Sequence, residues 1–376
     1  MLIYLGFSTV AVFVATLALL QFGAPSSLAV AHLVFAVGAL PLIFGAITHF
    51  VPVLTRSGKA QRGVLLAPFA LQLAGLLAVA FFYGTFGIGA LHAAVAIALP
   101  LSLAFAAWLL LRARRTLGKP HPGWRWYLAA LACLAVALAV VPAMQIWPEA
   151  HAALRLLHLH LNTLGFIGLT ALGTLQVLLP TVLSGPDPEA TLRLRRDAWL
   201  APGAVAAIAC GAALWLPLAL TGAALLLLVV LRIARAWLHR YGLPVLFGDG
   251  AAAALAAALL GFILLIALGV LHALRIVDGL HAVAAYIVIF LLPLITGALS
   301  QLLPVWCHPG VRSAPRDRMR AALVGSGRIR ALLFVAGGMA LACGIGEGLW
   351  LAGGGVLLFV LGLLRAVIHL RSGPSQ

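Results

Sequence analysis

The chain has 376 residues, of which 64% are hydrophobic and 9% charged, against the roughly 25% charged of a soluble globular domain, and its mean hydropathy is +1.16. A helical membrane crossing takes about 20 apolar residues, so the length is used up by about twelve crossings and short loops. That excludes a soluble enzyme, a nucleic-acid binder and a disulfide scaffold, and leaves the net charge of +16 to be explained by where the charges lie.

In chain order, the apolar runs predict spans over 3–23, 27–54, 63–83, 87–111, 126–146, 154–184, 198–215, 217–235, 251–271, 278–306, 328–346 and 349–370. The runs are continuous and rich in Leu and Ala, without the ten-residue alternation of barrel strands. The expected fold is therefore all-α, a polytopic integral membrane protein of about twelve transmembrane helices. Residues 3–23 have no basic leader and no small-residue cleavage site, and are read as a retained first helix.

Of the 24 Lys and Arg, 22 fall in loops after even-numbered spans or at the adjoining helix ends, from Arg56, Lys59 and Arg62 to Arg328, Arg330, Arg365 and Arg371. Only Arg155 and Arg275 fall on the other side. By the positive-inside rule both termini are expected in the cytoplasm, in a bacterial-type inner membrane. The basic balance is then a topology signal, with acidic lipid as the partner it implies and no nucleic acid.

The second, sixth and tenth spans align without a gap on Pro52, Pro180 and Pro304. Gly45, Gly173 and Gly297 match seven residues earlier, Pro41 and Pro293 eleven, Phe166 and Phe290 fourteen, and His32 and His160 twenty. The alignment implies three pseudo-symmetric four-helix units, approximately 1–117, 118–243 and 244–376, in a single transmembrane domain. Sites in repeat-built membrane proteins gather on Gly- or Pro-interrupted helices, which makes these three helices the inner ones by expectation.

Histidine is the unusual residue there. His32, His158, His160 and His281 lie within the first two turns of the three repeat helices, at similar depth on the outer side. Ionisable groups in a bilayer are costly and by default serve a site. His92, His151 and His272 sit at span edges and read as interfacial. His158 and His160, two apart on a helix, point about 200° away from one another, so they suit two pockets better than one small ion. The eight acids, Glu149 and Asp278 among them, lie in loops or at span ends, so a bare zinc or copper ion has few ligands. Haem needs only one imidazole per face and fits better. Cys133, Cys210, Cys307 and Cys343 have no disulfide or metal spacing and read as small hydrophobes.

Two further features sit near these histidines. Asn162, the only asparagine, falls in the same turn as His160 and has an amide for a ligand, a neighbouring backbone group or another helix. Arg155 and Arg275 precede the helices bearing His160 and His281, where they suit haem propionates, pairing with Glu149 and Asp278, or interfacial anchoring.

Three four-helix arcs with histidines at the outer ends of the second, sixth and tenth helices resemble the haem-copper oxidase subunit I superfamily, which includes the nitric-oxide reductase large subunits. The family's tenth helix carries an H-x-H that gives one axial ligand to each of two haems. Here the H-x-H is His158-Leu159-His160 on the sixth helix, followed by GFIGLTALGTLQVLLP. If the match is rotated by one repeat, the resemblance makes His160 and His281 the low-spin haem ligands. His158 then serves the other haem, and His32 stands where the family has a copper ligand. An unrotated match pairs His32 with His281. The family's further His-His pair is missing from the third and seventh spans, so the copper site is incomplete, and no acid lies mid-span, against proton pumping. The chain is also similar in size and plan to the NnrS haem and copper membrane proteins of the nitric-oxide response, without their signature residues.

The resemblance implies one or two haem b groups and electron transfer, or binding or reduction of a diatomic such as nitric oxide. Any enzyme activity would then be that of an oxidoreductase. A cytochrome or quinol donor and a partner subunit are implied with it. The competing expectations are a metal or small-molecule permease that uses the same histidine layer, and a cofactor-free structural subunit.

Overall fold

The computed structural model describes residues 1–23, 26–183, 185, 187–277 and 281–371, the last three by backbone alone. Among the described residues there is no strand. Also among the described residues, eleven helices are long and apolar enough to cross a membrane, and a bent pair taken as one span makes a twelfth. We number them α1 (Leu2–Phe22), α2 (Ser27–Leu54), α3 (Arg62–Phe82), α4 (Ile88–Arg114), α5 (Gly123–Ile146), α6 (Pro148–Leu183), α7 (Ala190–Arg196 with Leu200–Leu214), α8 (Leu216–Leu246), α9 (Gly250–Ala273), α10 (Ala282–Cys307), α11 (Ala314–Ala342) and α12 (Gly348–Arg371). The protein is thus a polytopic, all-helical membrane protein. Asp278, and the side chains of His369 and Arg371, lie outside the described residues.

The expected span over 198–215 encloses the apolar piece of α7, and the helix adds a basic piece, Ala190–Arg196, before it. Its two pieces meet at 43°, and the apolar piece, Leu200–Leu214, has 15 residues. Trp199 and Trp215 flank that piece, 76% and 63% exposed.

The chain folds as two compact units, Met1–Gln176 with Pro188–Val229 and Val177–Asp187 with Val230–Gln376. Within them, α2, α6 and α10 are not uniform α-helices. Each contains a π-helical turn, at Leu33–Ala39, Leu161–Gly168 and Ile287–Leu291. Counted back from Pro52, Pro180 and Pro304, the three turns overlap, all covering the positions 17 to 13 residues before the proline. A π turn hydrogen-bonds five residues back, as Leu40 N–H does to the Phe35 carbonyl, which inserts one residue and widens the helix.

Neighbouring helices make room for that width. In the first unit, a Cβ on Gly75 of α3 would lie 2.5 Å from the Ala36 carbonyl oxygen. Gln72 Nε2, one turn earlier on α3, donates to the Val37 carbonyl at 3.3 Å and to Ser8 Oγ at 2.7 Å. Thr9 Oγ1 of α1 donates to the Gly38 carbonyl at 2.9 Å. Three successive π-turn carbonyls therefore meet a glycine, an amide and a hydroxyl. In the second unit, a Cβ on Gly261 of α9 would lie 2.1 Å from the Ile289 carbonyl oxygen, in the π turn of α10.

The second unit also places a charge where the sequence does not suggest one. Arg330, grouped above with the loop charges, is fully buried. It donates to the Leu323 carbonyl at 2.8 Å and to Ser300 Oγ at 3.1 Å, with its guanidinium 4.8 Å from the Phe359 ring centroid. The break in α11 after Val324 frees carbonyls at a negative helix end, and the guanidinium answers both. Nearby, Asp249 caps α9 by accepting from Ala251 and Ala252 N–H, and pairs with Arg320 at 2.6 Å.

The end of α9 carries a residue in an unfavourable conformation. Arg275 has φ 59°, its N–H donates to the His272 carbonyl, and Ile276 N–H donates to the Leu271 carbonyl. This is the Schellman closure, whose left-handed position favours glycine. Arg275→Gly is expected to stabilise the fold by about 1 kcal/mol, read as a raised thermal midpoint in detergent. An unchanged or lowered midpoint refutes this.

Candidate functional site

His32 ends the first α-helical segment of α2, immediately before its π turn. His158 lies in the last turn before the π turn of α6. Both belong to the first unit. Their ring centroids are 6.5 Å apart and their planes 23° apart. Phe82 of α3 lies against His32 at 4.4 Å between centroids. The structure thus brings together two histidines that neither form of the resemblance pairs.

Each ring is anchored through one nitrogen. His158 Nδ1 is 2.8 Å from the Ala137 carbonyl of α5, and His32 Nδ1 is 2.8 Å from the Leu28 carbonyl. A carbonyl oxygen only accepts, so Nδ1 carries the proton in both rings. In the neutral imidazole that leaves the Nε2 lone pair for a ligand, the arrangement by which metal-binding histidines are held. His160 Nδ1 is bound the same way, to the Leu156 carbonyl of its own helix at 2.8 Å.

Asn162 does not reach a neighbouring helix. Its Nδ2 donates to the His158 carbonyl at 2.7 Å, and Thr163 Oγ1 donates to the Leu159 carbonyl at 2.8 Å. Both bonds serve carbonyls at the entry to a π turn, where the regular ladder changes step.

The other expected residues are placed separately. His281 is exposed and belongs to the second unit. Arg155 and Arg275 are exposed, as are His92, His151 and His272 at their span edges. All four cysteines are free thiols. Among the described residues no group of three or more His, Cys, Asp and Glu could hold a metal ion. What remains is a pair of imidazoles, each with Nδ1 held by a carbonyl, suited to a group that brings its remaining ligands with it.

The residues that support this pair are less visible in sequence than the pair itself. Gln72 is the one strongly polar side chain within 63–83, a signal that could have marked it. Thr9 has no such mark, because threonines within spans are common and usually bond their own helix.

Fold and site together define an all-helical, polytopic membrane protein with a paired-histidine site. The chain matches no family model and no curated protein.

Proposed function

We propose that this protein binds haem b in a bacterial-type inner membrane and takes part in one-electron transfer, or in binding or reducing a diatomic such as nitric oxide. The observation that supports this is the pair His32 and His158. Two imidazoles on opposite sides of one metal, at about 2.0 Å bonds, have centroids roughly 6 to 6.5 Å apart, and the observed separation is 6.5 Å. Near-parallel planes and protonated Nδ1 atoms agree with such a pair. So does the missing third ligand, since a macrocycle supplies the four equatorial nitrogens.

Haem, when bound, supplies an iron centre that exchanges one electron. The protein's own contribution is to orient both imidazoles so that each presents Nε2. The Ala137 and Leu28 carbonyls do this by accepting from Nδ1–H, and Phe82 walls one side of His32. His160, anchored in the same manner, is a third candidate ligand, and a cytochrome or quinol would be the donor.

The test is the reduced-minus-oxidised spectrum of the detergent-purified protein, with pyridine haemochrome quantification on the same sample. A b-type spectrum near one or two haems per chain is expected. Colourless protein from haem-replete cells would overturn the proposal and favour the permease.

A further inference from the structure

The rotation of a helix explains why His32 meets His158 at all. On a continuous α-helix, Phe44, twelve residues after His32, would sit about 120° from it around the axis. One inserted residue reduces that offset to about 20°. Similarly Phe166, eight residues after His158, would sit about 80° away on a continuous helix, and the widening of the π turn in which it lies brings it closer to the face of His158. The observed contacts need the inserted residues. Phe44 and Phe166 meet with centroids 5.8 Å apart, and His32 and His158 meet higher on the same two helices.

We propose that the π turns behind His32 and His158 are what turn these two imidazoles toward each other, and that Gln72 and Thr9 are positioning residues that hold the first turn. A π turn left to itself relaxes toward the α-helix, because its wider ladder is the less favourable one. In α2 the relaxation is opposed from outside. Gln72 and Thr9 take the Val37 and Gly38 carbonyls, and Gly75 lets the Ala36 carbonyl stand out against α3. In α6 the opposition comes from within, through Asn162 and Thr163. The geometry stands alone, and its bearing on cofactor ligation rests on the haem proposal above.

The experiment reads the pairing without a cofactor. Cys133, Cys210, Cys307 and Cys343 are replaced by alanine, His32→Cys and His158→Cys are introduced, and a short bifunctional thiosulfonate is applied to membranes. The intrachain crosslink is scored by mass spectrometry. It is expected to form, and to vanish when Ala36 is deleted, since the deletion restores an α ladder and swings residue 32 by about 100°. Gln72→Leu and Thr9→Val are expected to lower the yield, and Thr9→Ser, which keeps the hydroxyl, to restore it.

Absence of the crosslink in the undeleted background overturns the pairing. A yield indifferent to Gln72→Leu and Thr9→Val, with only the thermal midpoint lowered, overturns the positioning role. These two variants decide the question if the deletion does not fold. Colourless wild-type protein with the expected crosslink pattern would refute the haem proposal alone. Haem-loaded protein with an indifferent crosslink would refute the positioning alone.

Discussion

If the proposed haem is bound, the His158→Ala protein is expected to show a haem affinity reduced by more than about 100-fold, because losing even a group that merely orients a metal ligand costs about 10- to 100-fold and here a proposed ligand itself is removed. His32→Ala should match it, since the two rings form one pair at 6.5 Å and a six-coordinate spectrum needs both. Imidazole added to either variant should restore part of the spectrum by occupying the vacated side. His160→Ala is the discriminating control. Its ring is tied to Leu156 on its own helix, not to α5, and its loss should leave the six-coordinate bands of this pair in place. If His160→Ala instead removes them while His32→Ala does not, the axial pair is the one implied by the rotated form of the resemblance, His160 with His281.

Gly261→Leu is expected to keep the second unit from reaching a stable fold. Overpacking a core usually costs about 1–3 kcal/mol because side chains shift to absorb it. Here the first added atom would lie 2.1 Å from the Ile289 carbonyl oxygen and 2.8 Å from its carbon. Both obstacles are backbone, within a π turn already widened by one residue, so the cost should reach or exceed the upper end of about 3 kcal/mol. Gly353→Leu is the matched control, since nothing lies within 4 Å of a Cβ there. Thermal midpoints by size-exclusion chromatography will separate the two. Equal midpoints would mean that α9 can move away from α10, and the close-packing account would fail.

The spans were legible because each is a long apolar run, and the predicted bounds follow the observed ones except where polar or basic turns extend a helix, at the start of α6, the end of α8 and the start of α11, and where a basic piece begins α7. The candidate histidines were legible too, as ionisable groups at helix starts. What could not be read was which of them meet. Pairing depends on helix rotation, and counting at 3.6 residues per turn across 33–39 or 161–168 carries an error of about one residue. The π turns have no sequence mark of their own. LVFAVGA, LNTLGFIG and IVIFL have in common only Leu and Phe, which are frequent along the whole chain, and the turn of α2 is held by contacts distant in sequence, from Gln72 and Gly75. Arg330 was placed near a helix start, as observed, but its burial was not legible. A charge near a predicted loop reads as solvated, and only the break in α11 creates the buried carbonyl that holds it.

The shortness of α7 reaches beyond the protein. Its apolar piece of 15 residues rises only about 22 Å, well short of a hydrocarbon layer of about 30 Å. The preceding piece holds Arg193, Arg195 and Arg196, which resist entering the oily layer, and Trp199 and Trp215 mark both edges with rings that favour the headgroup level. Lipids beside this face must therefore dimple inward or shorten their acyl chains. The protein should then gather thin, short-chained lipid around one flank, and its melting in reconstituted vesicles should depend on acyl length in a way a uniformly thick bundle would not.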